Sequence, residues 1–342
     1  MQLTSWCTRE ALDPGFERAW RECLSRSPHA HFGLSVEHLR WQAAHGRAAT
    51  AMRAEEGGRC AALVIRDEGP WRACGWPWRW EAVIGDPARD RAEGMSPEEL
   101  DWVFGIAQRM SRGRRLRCFL PVAPGGRTPG YLAGSTLLRR LEGTDAELLK
   151  TMDVNKRGAV KRAVREGFTV ERATRPEQYL AFARLQRETE RRRGDDCGPI
   201  PDTLPLPGES WREWEHPWMM LLIVMRAGTI EGGSGFGVYP GATVDYRANA
   251  STLDAKRLGA NVLLAYEGLR QGRDLGCRWM NWGGATVFKR ELGGERVDLH
   301  CRLGGGAVWA LPNQLTHSLN LARPQISAWW RALRAGVPGR RG

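Results

Sequence analysis

Lysine is the scarce residue of this chain. Of its 51 basic side chains only five are lysines, at Lys150, Lys156, Lys161, Lys256 and Lys289, and the rest are arginines. The eight cysteines form no Cys-x-x-Cys pair, which excludes a zinc ribbon or a dithiol redox motif and leaves reduced, structural thiols. No apolar run approaches the roughly 20 residues of a membrane helix. The N-terminus has no basic segment followed by an apolar one, so no signal peptide is expected and the cytoplasm is the expected compartment.

What is present describes a folded, basic protein. Its 342 residues are 42% hydrophobic and 26% charged, which excludes disordered, collagen-like and small disulfide-stapled classes. At roughly 150 residues per domain the chain holds two domains or one large one, and either can bury a core. The net charge of +12 points to an anionic partner such as nucleic acid, a membrane surface or a phosphorylated substrate. Heavy arginine use also fits a general compositional bias, so the five retained lysines are the informative positions.

Helical and strand patterns alternate through both halves. Phe16, Trp20 and Leu24 recur at four-residue steps in a helix predicted over 14–25, and a second is expected over 35–44. Strands are expected over 60–66, within 71–84 and over 116–122, with a helix over 96–111 opened by Ser96-Pro97. This unit ends near Leu141. From Lys150 to Arg193 there are three lysines and ten arginines against six acids, a net +7. Two helices are predicted there, over 154–166 and 176–193, followed by a Pro- and Gly-rich loop over 194–208. Strands then follow over 217–226, 231–239 and 244–248, with one long helix over 253–275 and a strand over 278–282 entering Gly283-Gly284. The expected fold is α/β with mixed sheets, in two consecutive domains, 1–149 and 150–342, the second opening on the basic segment 150–193, without a coiled-coil arm.

Three stretches carry a family resemblance. Asn155-Lys156-Arg157-Gly158, continuing through Lys161-Arg162-Ala163-Val164-Arg165 to Gly167-Phe168, resembles the basic segment of FemABX-type transferases, where a helix of Lys and Arg precedes a Gly-aromatic step into a strand. Tyr246-Arg247-Ala248, Leu263-Leu264-Ala265-Tyr266-Glu267, Asp274-Leu275-Gly276-Cys277-Arg278-Trp279 and Gly283-Gly284 are similar to that family's strand, long helix, glycine and strand. Phe288-Lys289-Arg290-Glu291-Leu292-Gly293-Gly294 is similar to its Phe-Lys-x-x-apolar-Gly signature. Asn281 stands where the family often has Asp. The resemblance implies two consecutive GCN5-related acyltransferase (GNAT-like) domains. It also implies transfer of an aminoacyl group from charged tRNA to an amine, on a peptidoglycan precursor or a peptide-like natural product. Others in the wider superfamily use acyl-CoA.

Aminolysis of an ester or thioester needs a neutral amine, a route for its proton and a group that holds the developing oxyanion. It needs no covalent enzyme intermediate, and Gly232-Gly233-Ser234-Gly235-Phe236 lacks the last glycine of a nucleophile elbow. Lys289 is the leading catalytic candidate, an ammonium for the oxyanion or for the donor's terminal ribose and phosphate. The plain alternative is a solvated lysine on a hairpin. Tyr246 is a candidate proton relay and Asn281 a candidate hydrogen-bonding partner of the acceptor, with Phe288 and Arg247 as substrate-binding residues. Ordinary strand packing is their alternative.

Lys156, Arg157, Lys161, Arg162 and Arg165 are candidates for tRNA phosphates, or else a solvated helix surface. Lys256 and Arg257, just before Gly259, resemble a degraded form of the GNAT loop that cradles the CoA pyrophosphate at a helix N-terminus. A close-packed helix start is the alternative. His29, His31, His38 and His45 have no carboxylate or thiol at ligand spacing, so neither a metal nor a resident cofactor is expected. Trp76, Trp78 and Trp80 fall at strand spacing, suited to core packing or base stacking. The expected function is an aminoacyl-tRNA-dependent aminoacyltransferase acting on an amine-bearing small molecule or peptide. The alternatives are an acyl-CoA-dependent N-acyltransferase and a non-catalytic, basic nucleic-acid-binding protein.

Overall fold

The computed structural model describes residues 1–68, 71–75, 80–86, 94–111, 113–123, 130–194, 216, 218–305, 315 and 318. The first half runs β1 (Gln2–Cys7), α1 (Pro14–Ser25), α2 (Val36–Ala44), β2 (Ala49–Glu56), β3 (Arg59–Glu68), β4 (Trp71–Cys74), β5 (Ala82–Gly85), α3 (Pro97–Met110), β6 (Arg115–Val122) and β7 (Tyr131–Arg140). The second half opens with α4 (Asp145–Lys150), α5 (Val154–Arg165), β8 (Thr169–Arg172), α6 (Pro176–Arg193), β9 (Met219–Arg226), β10 (Thr229–Val238) and β11 (Thr243–Ser251). It continues through α7 (Leu253–Leu258), α8 (Ala260–Asp274), β12 (Trp279–Gly284), α9 (Val287–Glu291) and β13 (Glu295–Gly304).

Local chemistry sets the helix starts. The Asp13 carboxylate accepts from the Phe16 N–H ahead of a first-turn proline, and Ser96 and Glu99 form a reciprocal capping box. Among the described residues one mixed sheet is ordered β1-β2-β3-β4-β6-β13-β7-β12-β11-β10-β9-β8, with β5 also on β3. Strand β13 pairs antiparallel with both β6 and β7, and β7 pairs antiparallel with β12, so the sheet continues from one half into the other.

Each half is layered helix, sheet, helix. In the first, Trp20, Leu24 and Leu39 pack with Ala62 and Val64 on one face, and Leu100, Val103 and Ile106 with Met52 and Leu63 on the other. In the second, Val160, Ala163 and Leu264 cover Met220, Phe236, Val244 and Trp282, while Tyr179, Phe182 and Leu185 cover Leu221 and Ile223. The mixed α/β class and the two consecutive α/β units agree with the sequence reading. The longest described helix, α6, has 18 residues, and none is long and apolar enough to cross a membrane.

The single helix expected over 253–275 is two. Gly259 ends α7 and caps α8 at φ 97°, and a Cβ there would stand 2.5 Å from the Ala159 carbonyl oxygen. The close approach of α5 requires the glycine and turns the chain. Trp76, Trp78, Cys197 and positions 195–208 of the expected loop lie outside the described residues, whereas Trp80 is buried. Among the described residues no group of three or more His, Cys, Asp or Glu side chains could hold a metal ion.

Candidate active site

The site is made where two parallel strands part. β11 and β12 pair only at Thr243↔Trp279, Val244↔Met280 and Asp245↔Asn281, after which β11 continues to Ser251 without β12 beside it. Both strands are irregular at this point. On β11, Tyr246 faces Phe236 and Ala248 faces Gly235, so Arg247 is an extra residue; on β12 the register against β7 shifts between Asn281 and Gly284. A bulge ends pairing and re-aims side chains. Gly283 takes φ 68°, and the Asn281 Oδ1 accepts its N–H at 2.9 Å while the Thr136 hydroxyl lies 2.5 Å from the same oxygen.

Two clefts open at the parting. The larger, about 830 Å³, lies between α5, α6, the free edge of β11, the start of α8 and α9. Its walls carry Lys156, Arg162, Arg193, Lys256 and Arg257, with Asn261 and Phe288. The smaller, about 510 Å³, is lined by Phe32, Gln42 and Arg47 of the first half and by Asp245, Asn281 and Gly284. Tyr246, Arg247 and Lys289 line both. These three form the partition between the two spaces.

The electrostatics follow from burial. Lys289 sits in α9, whose first turn is capped by the Thr286 hydroxyl, and its Nζ lies 5.1 Å from the centre of the Tyr246 ring. Burial alone pulls its ammonium down from 10.5 to about 8. Burial also raises the Tyr246 phenol, which hydrogen-bonds Ser234, so it stays protonated at neutral pH. Ser234 in turn accepts from Asn249 at 2.6 Å. Lys156 is held by Glu291 at 3.0 Å and lies 4.9 Å from the Phe288 ring centre, which ties α5 to α9. Behind α9, the buried Arg139 donates to the carbonyls of Leu148 and Leu292 and, at 2.6 Å, to the Thr151 hydroxyl.

Most residues singled out in the sequence converge here. Lys289, Tyr246, Phe288, Arg247, Lys156, Arg162, Lys256 and Arg257 all reach the larger cleft. Asn281 reaches only the smaller one, with its carbonyl oxygen engaged in holding the Gly283 turn. Arg157 points elsewhere, donating to the Lys150 and Met152 carbonyls, and Lys161 and Arg165 are exposed on α5 outside both clefts. Lys289 stands on a short helix, not a hairpin, and is half-buried. Sequence reasoning missed Asp245, Gln42 and Arg47, which carry no spacing signal and meet only through the tertiary fold.

Comparison with solved structures gives the fold. FemX aligns with a TM-score of 0.62 at 14% identity, covering 91% of this chain and 99% of that one. A conserved protein of unknown function from Bacteroides thetaiotaomicron aligns with a TM-score of 0.51 at 10% identity, over 86% of this chain and 98% of that one. The C-terminal domain of a protein assigned as a lysylphosphatidylglycerol synthetase from Agrobacterium fabrum gives 0.50 at 16% identity, over 89% and 94%. No protein-family model and no curated protein sequence matches the chain. At these identities the likeness is one of fold, and it is the fold that the FemABX-type resemblance implied.

Proposed function

We propose that this FemX-like fold is an acyltransferase that joins an aminoacyl group, carried by tRNA, to an amine. One observation carries the reading: Lys289, Tyr246 and Arg247 stand between a basic cleft suited to a phosphate-bearing donor and a second cleft open to an acceptor. The acceptor nitrogen attacks the donor's carbonyl carbon, forming the C–N bond, and the tetrahedral oxyanion is held by the Lys289 ammonium. The C–O bond to the ribose then breaks. Tyr246 gives its proton to the leaving oxygen and regains one from the attacking nitrogen, so charge and protons balance. Asn281 positions the Gly283 turn beneath Lys289, and Phe288 packs under Lys156. The acceptor class is an amine-bearing peptide-like intermediate or peptidoglycan precursor.

A second reading keeps the mechanism and replaces the donor by acyl-CoA, with a C–S bond breaking. Gly259 and Asn261, at the start of α8, line the larger cleft beside Lys256 and Arg257, an arrangement able to hold a pyrophosphate. Open space on both sides of Lys289 argues against a non-catalytic binding protein. Incubation with charged tRNAs and, separately, acyl-CoAs tests the choice. Amide formation on an added amine that RNase abolishes supports the tRNA reading; RNase-resistant transfer from acyl-CoA replaces it.

A further inference from the structure

We infer that Thr136, a buried residue of β7 that lines neither cleft, is a positioning residue for Lys289, because its hydroxyl locks the turn on which the lysine ammonium rests. That the ammonium serves acyl transfer rests on the proposed function; the positioning claim does not.

The ammonium has a backbone floor. A Cβ built on Gly283 would stand 3.4 Å from the Lys289 Nζ and 3.9 Å from the Tyr246 carbonyl oxygen, so the lysine packs against the Gly283 backbone beside β11. Gly283 also takes φ 68°, where a side chain is strained. Glycine meets both demands, yet it is the most conformationally free of residues and does nothing to hold the turn it makes. The place of Nζ therefore depends on whatever fixes Gly283 from outside. α9 starts from its Thr286 cap just beyond this turn, so the same restraint sets where the helix carrying Lys289 begins.

That restraint comes from the first half of the chain. The Asn281 Oδ1 accepts the Gly283 N–H at 2.9 Å, and the Thr136 hydroxyl lies 2.5 Å from the same Oδ1 and 2.9 Å from the Gly283 carbonyl oxygen. One hydroxyl proton is shared between oxygens at the two ends of Asn281-Trp282-Gly283 and clasps the turn shut. Thr136 is 0% and Asn281 4% exposed, so water has little access to replace the hydroxyl. Burying a hydroxyl between strands is costly, and these two acceptors offset it. β7 is itself held on both edges, with Thr136 paired to Gly284 of β12 and to Val297 of β13. A β-branched side chain on a strand fixed this way has few rotamers, so Oγ1 stays where the two pairings put it.

The scarcity of lysine makes the test direct. With isotope-labelled lysine the full chain has five labelled side chains, and Lys289→Met identifies the NMR signal of Lys289. Its titration is followed without donor or acceptor in wild type, in Thr136→Val, which keeps the shape and loses the hydroxyl, and in Thr136→Ser, which keeps the hydroxyl. Thr136→Val is expected to move the Lys289 midpoint up from about 8 towards 10.5 as the loosened turn admits water, and Thr136→Ser to leave it at about 8. The charged groups lining the clefts, Arg47, Asp245, Arg247 and Lys156 among them, are the same in all three chains, so a moved midpoint reports the placement of Lys289 and not a changed neighbour. In transfer assays Thr136→Val is expected to lower the maximal rate about tenfold with KM within about twofold, and Thr136→Ser to restore it. If Thr136→Val does not fold, Thr136→Ala, which leaves room beside the two oxygens, is read the same way. An unmoved midpoint without the hydroxyl, a midpoint moved equally by Thr136→Ser, or a rate loss confined to KM overturns the proposal. A midpoint that moves as expected in a protein that transfers from no donor would remove the acyl-transfer reading and leave the positioning, whereas normal transfer by Thr136→Val with an unmoved midpoint would do the opposite.

Discussion

The Lys289 Nζ lies 5.1 Å from the centre of the Tyr246 ring, and both side chains line both clefts. No carboxylate pairs with this lysine among the described residues; burial is the one influence on its proton. An ammonium placed this way has its charge available for a negative group that develops during reaction. The neighbouring phenol, kept protonated by burial, is suited to give a proton to what leaves.

The pH profile follows from that burial. If the ammonium form works, transfer falls as pH rises through about 8, where Lys289 loses its proton. Lys289→Arg keeps its charge and should carry that descending limb away. A wild-type rate that keeps rising past this pH contradicts the ammonium role. Stability has its own sign: the folded state sheds this proton at about 8 and the unfolded state near 10.5, so the unfolded chain holds more protons between them. Stability contributed at this residue therefore rises with pH across that window, and below it the cost of burying the charge is fully present. Removing the charge by Lys289→Met should raise the melting temperature at neutral pH, which thermal denaturation at several pH values checks.

Arg139 holds α9 in place from behind. Its guanidinium, 5% exposed, ties the ends of α4 and α9 to β7 through the Leu148 and Leu292 carbonyls. Arg139→Met leaves those acceptors without this donor and is expected to cost about 1–3 kcal/mol. The denaturation midpoint measures this, and the maximal transfer rate should fall more than substrate affinity does. An unchanged midpoint would show that the bonds contribute nothing net.

Salt dependence separates the two donors. Lys161 and Arg165 are exposed on α5 beyond the larger cleft, where an acceptor stem could reach and a CoA molecule lying in the cleft would not. Changing both to Gln should weaken aminoacyl-tRNA binding and reduce its log–log salt slope by about 1.5. Acyl-CoA binding should be unchanged. Equal slopes for variant and wild type would place the tRNA track elsewhere.

The legible parts of the chain are those with local chemical punctuation. Asp13-Pro14 and Ser96-Pro97 announce α1 and α3, and Pro176 with Gly194 brackets α6, so those helices lie where the pattern puts them. The unexpected elements depend on distant partners. β7 reads Tyr-Leu-Ala-Gly-Ser-Thr-Leu-Leu-Arg-Arg, with no clean alternation, and its partners on both edges, β12 and β13, come from far along the chain. β13 did hold a signal: Val297, Leu299 and Cys301 alternate with Asp298, His300 and Arg302 and are buried. Its place between β6 and β7 has no local signature. The same division holds at the site. The scarcity of lysine drew attention to Lys156, Lys256 and Lys289, which meet in one cleft, whereas Gln42 and Arg47 carry no local signal and line the smaller cleft only because the first half of the chain folds against the second.

The central claim is that Lys289 stands at the reacting carbonyl, and the single-turnover transfer rate of Lys289→Met, with donor and acceptor saturating, tests it most directly. Loss of one oxyanion-stabilising group predicts a fall of about 10²–10³-fold while the variant stays folded and binds donor nearly as wild type does. A rate within about threefold of wild type, less than 1 kcal/mol of transition-state stabilisation, would contradict it.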